Sequence, residues 1–326
     1  MVHQFFERLW WKKSKPYLIF RIFSLIYARL ATFDQQKRLA QASTSPLPLI
    51  SVGNITVGGS GKTPFVLWLA DVLRQHGYSP VLLCRGDGGK KTDPQWVTAS
   101  SLASDVGDEA ALLYRLSGCP VLSGKDRVLA SQMAAEKGDI IILDDGFQYR
   151  QLQRTCDIVL IPSEGVGNGY LLPAGPLRES ISVLNRADIL VRSGSKQATT
   201  ALSRQQEWSW STQSKVIRDW NQTTPDTLQA PKNIHAISSI ARPQRFINDL
   251  QTLGFNISTH QAFADHFAYQ QRDVDKLHHH ATTIVTTAKD AVKLLPLWKA
   301  EQPLWVLEQQ AHAEQGLIEE ILAHLT

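Results

Sequence analysis

Short apolar runs alternate with amphipathic segments along most of this chain. The runs at 49–53, 80–84, 140–144 and 157–162 are almost continuously apolar, which is typical of strands that are buried on both faces of a parallel sheet. Between such runs, segments such as 65–77 place apolar residues at helical spacing. This alternation predicts an α/β fold with a mostly parallel sheet flanked by helices.

A change of composition divides the chain in its second half. From about 193 to 232 the sequence is rich in Gln, Ser and Thr and has weak apolar periodicity, which predicts a connecting region. Strand-like runs then return between helix-like segments, at 233–240, 283–290 and 303–309. We therefore expect three parts, which are an N-terminal helical segment at 1–40, a main domain at 41–232 and a smaller C-terminal α/β domain at 233–326.

Positive charge is concentrated at the start of the chain. Against the single acid Glu7, the first thirty residues carry six basic side chains, at Arg8, Lys12, Lys13, Lys15, Arg21 and Arg29. The apolar window at 17–30 would be about 21 Å long as a helix, whereas the apolar core of a bilayer is about 30 Å thick. A basic, aromatic helix at the membrane interface is expected, and the alternative is a helix packed on its own domain.

Composition restricts the remaining classes of protein. The chain has 326 residues, 43% of them hydrophobic and 20% charged, with a net charge of +4, which is ordinary for a globular protein of about two domains. The three cysteines are odd in number and widely spaced, so they indicate neither a disulfide framework nor a zinc site. We expect no nucleic-acid partner and no obligatory protein partner.

The stretch LISVGNITVGGSGKTP at 49–64 predicts a phosphate-binding loop. An apolar strand runs into a glycine-rich loop and then a helix, so backbone N–H groups and a helix N-terminus can face a polyphosphate. Lys62 would reach the β- and γ-phosphates and Thr63 would hold Mg²⁺. Thr56 stands where the motif has its first glycine, and the alternative is a ligand-free turn. The predicted nucleotide contacts are Thr56, Gly58, Gly59, Ser60, Gly61, Lys62 and Thr63.

An acid pair follows the apolar run IIIL. Asp144 and Asp145 would lie at the end of a buried strand, where carboxylates of a nucleotide triphosphatase site hold Mg²⁺ and its waters against the phosphates. Alone, the pair is equally typical of a turn. After a phosphate-binding loop, it predicts the metal site of a P-loop NTPase-type fold, with a nucleoside triphosphate and Mg²⁺ as cofactors.

Six motifs of the chain resemble the tetraacyldisaccharide 4′-kinases of Gram-negative bacteria. They are GNITVGGSGKTP, VGDEA (106–110), DDGFQ (144–148), LLPAGPLRE (171–179), FADH (263–266) and TTAKDAVKL (286–294). The resemblance implies a P-loop kinase domain at 41–232. It also implies transfer of the ATP γ-phosphate to the 4′-hydroxyl of a tetraacyldisaccharide 1-phosphate, giving lipid IVA. Such a lipid substrate implies a peripheral protein on the cytoplasmic face of the bacterial inner membrane, which would explain the basic, aromatic N-terminus.

The resemblance also assigns residues to chemical roles. Asp108 would accept the 4′-hydroxyl proton, His266 would pair with it, and Lys62 would contact the phosphates. Arg178 would stabilise charge on the transferred phosphoryl group or bind the substrate's 1-phosphate, because guanidinium matches phosphate geometry. With His266 placed in the second domain and Lys62 and Asp108 in the first, the active site would assemble across two domains.

Four positions depart from the family's pattern, and they put peripheral contacts in doubt. Asp87 stands in place of a tyrosine, Tyr149 and Phe267 each replace a histidine, and Ala288 replaces a glutamate.

Two other classes of function stay open at this point. A GTPase or ATPase switch at the membrane would use TAKD (287–290) for base recognition, although its Lys289 and Asp290 are adjacent and N-K-x-D separates them by one residue. A membrane-associated ATP-binding scaffold would hydrolyse ATP slowly and phosphorylate no acceptor. Preference for GTP over ATP would identify the first alternative.

Overall fold

The computed structural model describes residues 2–58, 61–194, 207–224, 231–279 and 283–325. Two compact units, each discontinuous in sequence, account for the chain. The first unit consists of Met1–Leu83, Arg127–Ser211 and His312–Thr326, and the second of Cys84–Asp126 and Thr212–Ala311.

The described residues form helices and strands that alternate over most of the chain. The helices are α1 (Val2–Trp11), α2 (Leu18–Ala40), α3 (Lys62–Gln75), α4 (Ala103–Val106), α5 (Asp108–Ser117), α6 (Arg127–Ala134), α7 (Pro243–Thr252), α8 (Gln271–His279), α9 (Ala288–Leu294) and α10 (Leu317–Ala323). The strands are β1 (Leu49–Gly53), β2 (Pro80–Cys84), β3 (Gln95–Trp96), β4 (Val121–Ser123), β5 (Ile140–Asp144), β6 (Cys156–Ile161), β7 (Ile189–Ser193), β8 (Glu207–Asp219), β9 (Asn233–Ser238), β10 (Asn256–Ala262), β11 (Ile284–Thr287) and β12 (Trp305–Ala313).

Parallel strands form the centre of the first unit. Their order is β7-β6-β1-β5-β2, and the start of β8 pairs with β7 in the same direction. Every residue of β1, β5 and β6 is buried, which explains why these strands are almost continuously apolar in sequence. The pairing of Val52 with Asp144 brings the ends of β1 and β5 side by side.

The second unit has its own parallel strands and its own core. Strands β10-β9-β11-β12 are parallel, and β3 pairs with β4 in the antiparallel direction. Helix α5 packs against α9. The core between them includes Leu112, Ile237, Val292 and Val306. This packing holds the starts of α5 and α9, which carry acidic and basic side chains, close together.

The α/β architecture predicted from the sequence is confirmed, but two expectations about its organisation differ from the structure. Segment 84–126 was expected in the main domain with the phosphate-binding loop, whereas it belongs to the second compact unit because α5 packs on α9. The expected connecting region contains strand β8. Its alternation of Trp and Ser at 208–211 has the period of a strand, and the polar composition concealed it.

The N-terminal helices pack against a loop of the first unit. The indole N–H of Trp10 donates to the carbonyl of Pro173 at 2.9 Å, and the Ser24 hydroxyl donates to the carbonyl of Leu171 at 3.0 Å. The Tyr27 hydroxyl donates to the carbonyl of Arg178 at 3.0 Å. Helix α2 therefore directly supports the loop that carries Arg178.

The opposite side of α2 exposes large apolar side chains. We call this surface the apolar face of α2, and it comprises Leu18, Ile19, Ile22, Phe23, Leu25, Ile26, Leu30 and Phe33, each 49 to 70% exposed. At 100° per residue they fall on one side of the helix, away from Ser24 and Tyr27. In the described part of the chain, no helix is both long and apolar enough to span a membrane.

Candidate active site

The phosphate-binding loop is fixed by backbone pairing with the segment that precedes Arg178. The N–H of Val57 donates to the carbonyl of Pro176 at 2.8 Å, and the N–H of Arg178 donates to the carbonyl of Ile55 at 2.7 Å. Thr56 lies between these bonds in an antiparallel bridge. A bridged residue is extended and needs no glycine, so the pairing explains how threonine occupies the first position of the motif.

Glycine is required at the other end of the loop. Gly61 has a left-handed φ of 78° immediately before α3, and a Cβ there would lie 2.9 Å from the Trp210 ring. Gly58 also has a positive φ, of 100°. The predicted contacts Gly59 and Ser60 lie outside the described residues. Thr63 is the second residue of α3, so its hydroxyl lies in the first turn of the helix.

Lys62, the first residue of α3, points to the acid pair. Its Nζ lies 3.1 Å from Oδ1 of Asp145 and 3.3 Å from Oδ1 of Asn54. Asn54 is fully buried and donates through Nδ2 to the carbonyl of Thr56 at 2.8 Å. Asn54 therefore links the conformation of the loop to the position of its lysine, a connection that the sequence alone does not reveal.

Two cations hold the carboxylate of Asp145. Arg178 Nη1 lies 3.1 Å from Oδ2 and 3.3 Å from Oδ1, on the same carboxylate that pairs with Lys62. Arg127 adds a hydrogen bond to the Asp145 carbonyl at 3.0 Å. Burial alone would raise the pKa of Asp145, but the Lys62 and Arg178 cations outweigh burial and hold it well below its usual range. Asp145 has a positive φ of 49°, a sparsely populated conformation for a non-glycine residue.

Asp144 differs from Asp145 in its surroundings. It is the last residue of β5, is 3% exposed and lies beside Val52 of β1. In the described chain no cluster of three or more His, Cys, Asp and Glu side chains is placed to hold a metal ion. A P-loop site needs no such cluster, because phosphate oxygens and waters complete the coordination of Mg²⁺. The donor set of Thr63 and Asp144 fits that chemistry.

In the second unit the structure brings Asp108 and His266 together. Nδ1 of His266 lies 2.9 Å from Oδ2 of Asp108, across 158 residues of sequence. Asp108 is the first residue of α5 and is 5% exposed, and its side chain does not cap the helix because Gly107 is the N-cap. Oδ1 of Asp108 is buried and has no hydrogen-bond partner among the described residues.

Backbone strain and hydrogen bonds position His266. It has a φ of 57°, which is unusual for a residue with a Cβ and is often found at functional sites. Its N–H donates to the carbonyl of Ser239 at 3.3 Å and lies 3.1 Å from Oδ1 of Asp265. The chain is therefore bent so that the imidazole reaches Asp108.

Lys289 completes this cluster, although its place in the sequence indicates no catalytic role. Its Nζ lies 3.3 Å from Nε2 of His266, 3.3 Å from Oε1 of Glu109 and 3.9 Å from Oδ2 of Asp108. Burial alone would lower the pKa of Lys289, but the carboxylates of Glu109 and Asp108 outweigh burial and raise it. The motif TTAKDAVKL contained the residue, but only the fold places it beside the other two.

The next residue, Asp290, anchors the start of α9. It is fully buried and accepts hydrogen bonds from the Ser239 N–H and the Thr287 hydroxyl, each at 2.8 Å. Tyr269 donates to it at 3.2 Å, and Lys293 forms an ion pair with it at 3.0 Å. These contacts occupy the aspartate that a GTPase would use to recognise guanine, so the geometry disfavours that alternative.

Comparisons with known proteins identify the family. The model of the family described as LpxK, tetraacyldisaccharide-1-P 4′-kinase, matches residues 17–326. The chain belongs to the tetraacyldisaccharide 4′-kinase family. The resemblance predicted from the six motifs is therefore confirmed, and so is its implication that the protein is an enzyme of the kinase class.

Individual members of the tetraacyldisaccharide 4′-kinase family match most of the chain. The protein of that name from Methylobacillus flagellatus is 36% identical over 333 residues, which cover 98% of this chain and 95% of the relative. The one from Alcanivorax borkumensis is 37% identical, covering 96% and 94%. A crystal structure of LpxK from Aquifex aeolicus in complex with ATP matches with a TM-score of 0.78 at 28% identity, covering 93% of this chain and 96% of that one. These matches confirm the P-loop α/β fold and support ATP as the nucleotide.

Two departures from the family's pattern have defined contacts in this member. The ring of Tyr149 lies under the Arg127 guanidinium, with 5.1 Å between the ring centroid and Cζ. The Tyr149 hydroxyl accepts a hydrogen bond from the backbone N–H of Arg127 at 3.2 Å. The ring of Phe267 packs 4.7 Å from that of Phe263 and 5.2 Å from that of Tyr269. Both substituted rings thus stabilise the surroundings of the predicted site residues.

The other two departures are peripheral to these clusters. Asp87 forms an exposed ion pair with Arg85, at 3.3 Å. Ala288 is partly buried against the core of the second unit, at the start of α9. In the described chain, Asp87 therefore takes part in an exposed ion pair, and Ala288 packs with the apolar residues of the second unit's core.

Proposed function

We propose that this chain transfers the γ-phosphate of ATP to the 4′-hydroxyl of a tetraacyldisaccharide 1-phosphate, forming lipid IVA in lipid A biosynthesis. Membership of the tetraacyldisaccharide 4′-kinase family supports the reaction, and the ATP complex of the Aquifex aeolicus relative supports the phosphate donor. The observation that carries the mechanism is the hydrogen bond between the buried Asp108 and His266, because a hydroxyl nucleophile needs a positioned proton acceptor.

The first unit binds the nucleotide in this proposal. The loop between β1 and α3 offers its N–H groups and the start of α3 to the phosphates, and Lys62 exchanges Asp145 for phosphate oxygens. Thr63 and Asp144 would hold Mg²⁺, and the metal would neutralise charge on the phosphates. Arg178 is then placed to stabilise the transferred group, since it already contacts both oxygens of one carboxylate.

The second unit accepts the proton. The 4′-hydroxyl oxygen forms a bond to the γ-phosphorus while the bond from that phosphorus to the bridging oxygen of ADP breaks. The hydroxyl proton passes to Oδ1 of Asp108, and Oδ2 stays hydrogen-bonded to Nδ1 of His266. A positioned general base of this kind contributes about 10²- to 10⁴-fold to the rate.

The lipid substrate is reached at a membrane surface in this proposal. The apolar face of α2 is a contiguous exposed patch, which is typical of membrane or protein interaction sites. Basic side chains such as Lys12, Lys13 and Arg21 lie near it in sequence and suit an anionic leaflet. We assign the protein to the cytoplasmic face of the inner membrane as a peripheral enzyme.

Transfer of labelled phosphate tests the reaction and the site together. The full-length protein is incubated with γ-labelled ATP, Mg²⁺ and a tetraacyldisaccharide 1-phosphate in detergent micelles. Wild type should label the lipid, and Asp108→Ala should lower kcat about 10²- to 10⁴-fold while ATP binding is retained. Asp71→Ala, which removes an exposed carboxylate of α3, is the matched control.

Other outcomes would identify the alternatives. Hydrolysis of ATP without a labelled lipid would contradict the proposed acceptor, and a strong preference for GTP in competition would indicate a switch. An unchanged rate for Asp108→Ala would remove that carboxylate from the mechanism.

A further inference from the structure

The contacts of His266 define the protonation of its ring. One ring nitrogen, Nδ1, faces Oδ2 of Asp108 at 2.9 Å, and the other, Nε2, faces Nζ of Lys289 at 3.3 Å. An ammonium group has three donors and no acceptor, so Nε2 must offer its lone pair to that contact. Nδ1 must then carry the hydrogen, which it donates to the carboxylate.

The other two forms of the ring fit these partners poorly. The Nε2–H tautomer would direct one donor against another at Lys289 and would leave two acceptors facing each other at Asp108. An imidazolium would keep the bond to Asp108 but would place a second cation next to the Lys289 ammonium. Only the neutral Nδ1–H tautomer satisfies both contacts.

Further carboxylates keep Lys289 charged in this position. Glu109 lies 3.3 Å from Nζ, and Asp265 also interacts favourably with the ammonium. Next along α9, the buried contacts of Asp290 fix the start of the helix, which limits the movement of Lys289. The cation is therefore held by groups independent of the imidazole.

We infer that Lys289 is a positioning residue that holds His266 as the neutral Nδ1–H tautomer and so keeps Asp108 ready to accept a proton. Its catalytic consequence rests on the proposed function, whereas the tautomer itself does not. A neutral imidazole orients the carboxylate through Oδ2 without adding a second positive charge to that of the Lys289 ammonium, which lies 3.9 Å from Oδ2. A second charge would further weaken the carboxylate as a base.

Nitrogen-15 NMR of the full-length protein without substrate tests the tautomer. Long-range proton–nitrogen correlations distinguish a protonated from an unprotonated ring nitrogen, and the spectrum of His266→Gln identifies the signals among the ten histidines. The unaltered protein should show Nδ1 protonated and Nε2 unprotonated. Lys289→Met should give a mixture of ring forms, because a hydrogen bond to a charged group biases the ratio by about ten- to a hundredfold.

Kinetics of the same variants test the consequence. Lys289→Met should lower kcat for phosphate transfer about tenfold and should change the KM for ATP by no more than about twofold. The expected loss is at the weak end of the ten- to hundredfold range because the imidazole is nearly half exposed. Lys289→Arg should keep the tautomer and most of the rate, because guanidinium also has only donors. Lys276→Met removes an exposed lysine of α8 and should change neither readout.

Three results would overturn the inference. The first is a protonated Nε2 of His266 in the unaltered protein. The second is an unchanged ratio of His266 ring forms in Lys289→Met. The third is a loss of kcat in Lys276→Met equal to that in Lys289→Met. If Lys289→Met does not fold, the protonation of the His266 ring nitrogens in the unaltered protein still tests the inferred tautomer. Failure of wild type to label the disaccharide would refute the proposed function and leave the ring measurement valid.

Discussion

The apolar face of α2 leads to a quantitative prediction about membrane binding. Leu25 and Phe33 are 69% and 70% exposed. Complete burial of such a side chain stabilises by about 1.5–3 kcal/mol, so insertion of the exposed two-thirds contributes about 1–2 kcal/mol for each residue. Replacing both by serine should weaken binding by about 2–4 kcal/mol, which is about 30- to 1000-fold in the partition coefficient.

Sedimentation with vesicles measures this effect. The full-length protein is mixed with vesicles that contain anionic phosphatidylglycerol, and the bound fraction is measured against lipid concentration. The double variant Leu25→Ser/Phe33→Ser should remain largely in the supernatant where wild type sediments. Because both side chains already face solvent, its free energy of unfolding should stay within about 0.5 kcal/mol of wild type.

A matched double variant separates position from hydrophobicity. Leu102 and Leu129 are 46% and 45% exposed and lie outside α2. Leu102→Ser/Leu129→Ser should therefore bind vesicles as wild type does. Equal binding by the α2 variant and wild type would refute the assignment of this face to lipid and would leave α2 a packing role through contacts such as that of Ser24 with Leu171.

Three further predictions concern the first unit. In urea melts at pH 7, Asp145→Asn should be less stable than wild type by about 1–3 kcal/mol, because Lys62 and Arg178 lose their shared anion. Since the pKa of Asp145 is depressed in the folded state, this stabilisation is present above the unfolded pKa of about 3.9 and is lost as pH falls below that value. A difference in the free energy of unfolding between wild type and Asp145→Asn that does not narrow at acid pH would contradict the ion-pair explanation. Arg178→Lys should lower kcat/KM about tenfold or more, because an ammonium has three donors on one nitrogen whereas guanidinium presents five donors in a planar fork that matches a phosphoryl group. Steady-state kinetics with wild-type rates would contradict this. Gly61→Ala should weaken ATP binding in calorimetry by about 5- to 30-fold, because a Cβ at φ 78° costs about 1–2 kcal/mol and would lie 2.9 Å from the Trp210 ring. Normal affinity would show that the loop adjusts.

The sequence alone determined those parts of the site whose functional residues follow one another along the chain. The strand, glycine-rich loop and helix at 49–75 are specified by local apolar periodicity and by glycine at a left-handed position, and both are readable along a single segment. The acid pair after β5 is readable for the same reason. The family followed from motifs in their order, which needs no knowledge of their distances in space.

Tertiary structure decided which of these groups meet. His266 and Asp108 are 158 residues apart, and Lys289 and Glu109 are 180 residues apart. Their contact depends on the packing of α5 against α9 and on the bent backbone at His266, and periodicity does not encode either feature. Likewise, the sequence presented Asp144 and Asp145 as equivalent. Strand register and the direction of the chain after β5 separated them, because one carboxylate remains at the end of a buried strand while the other turns toward Lys62 and Arg178.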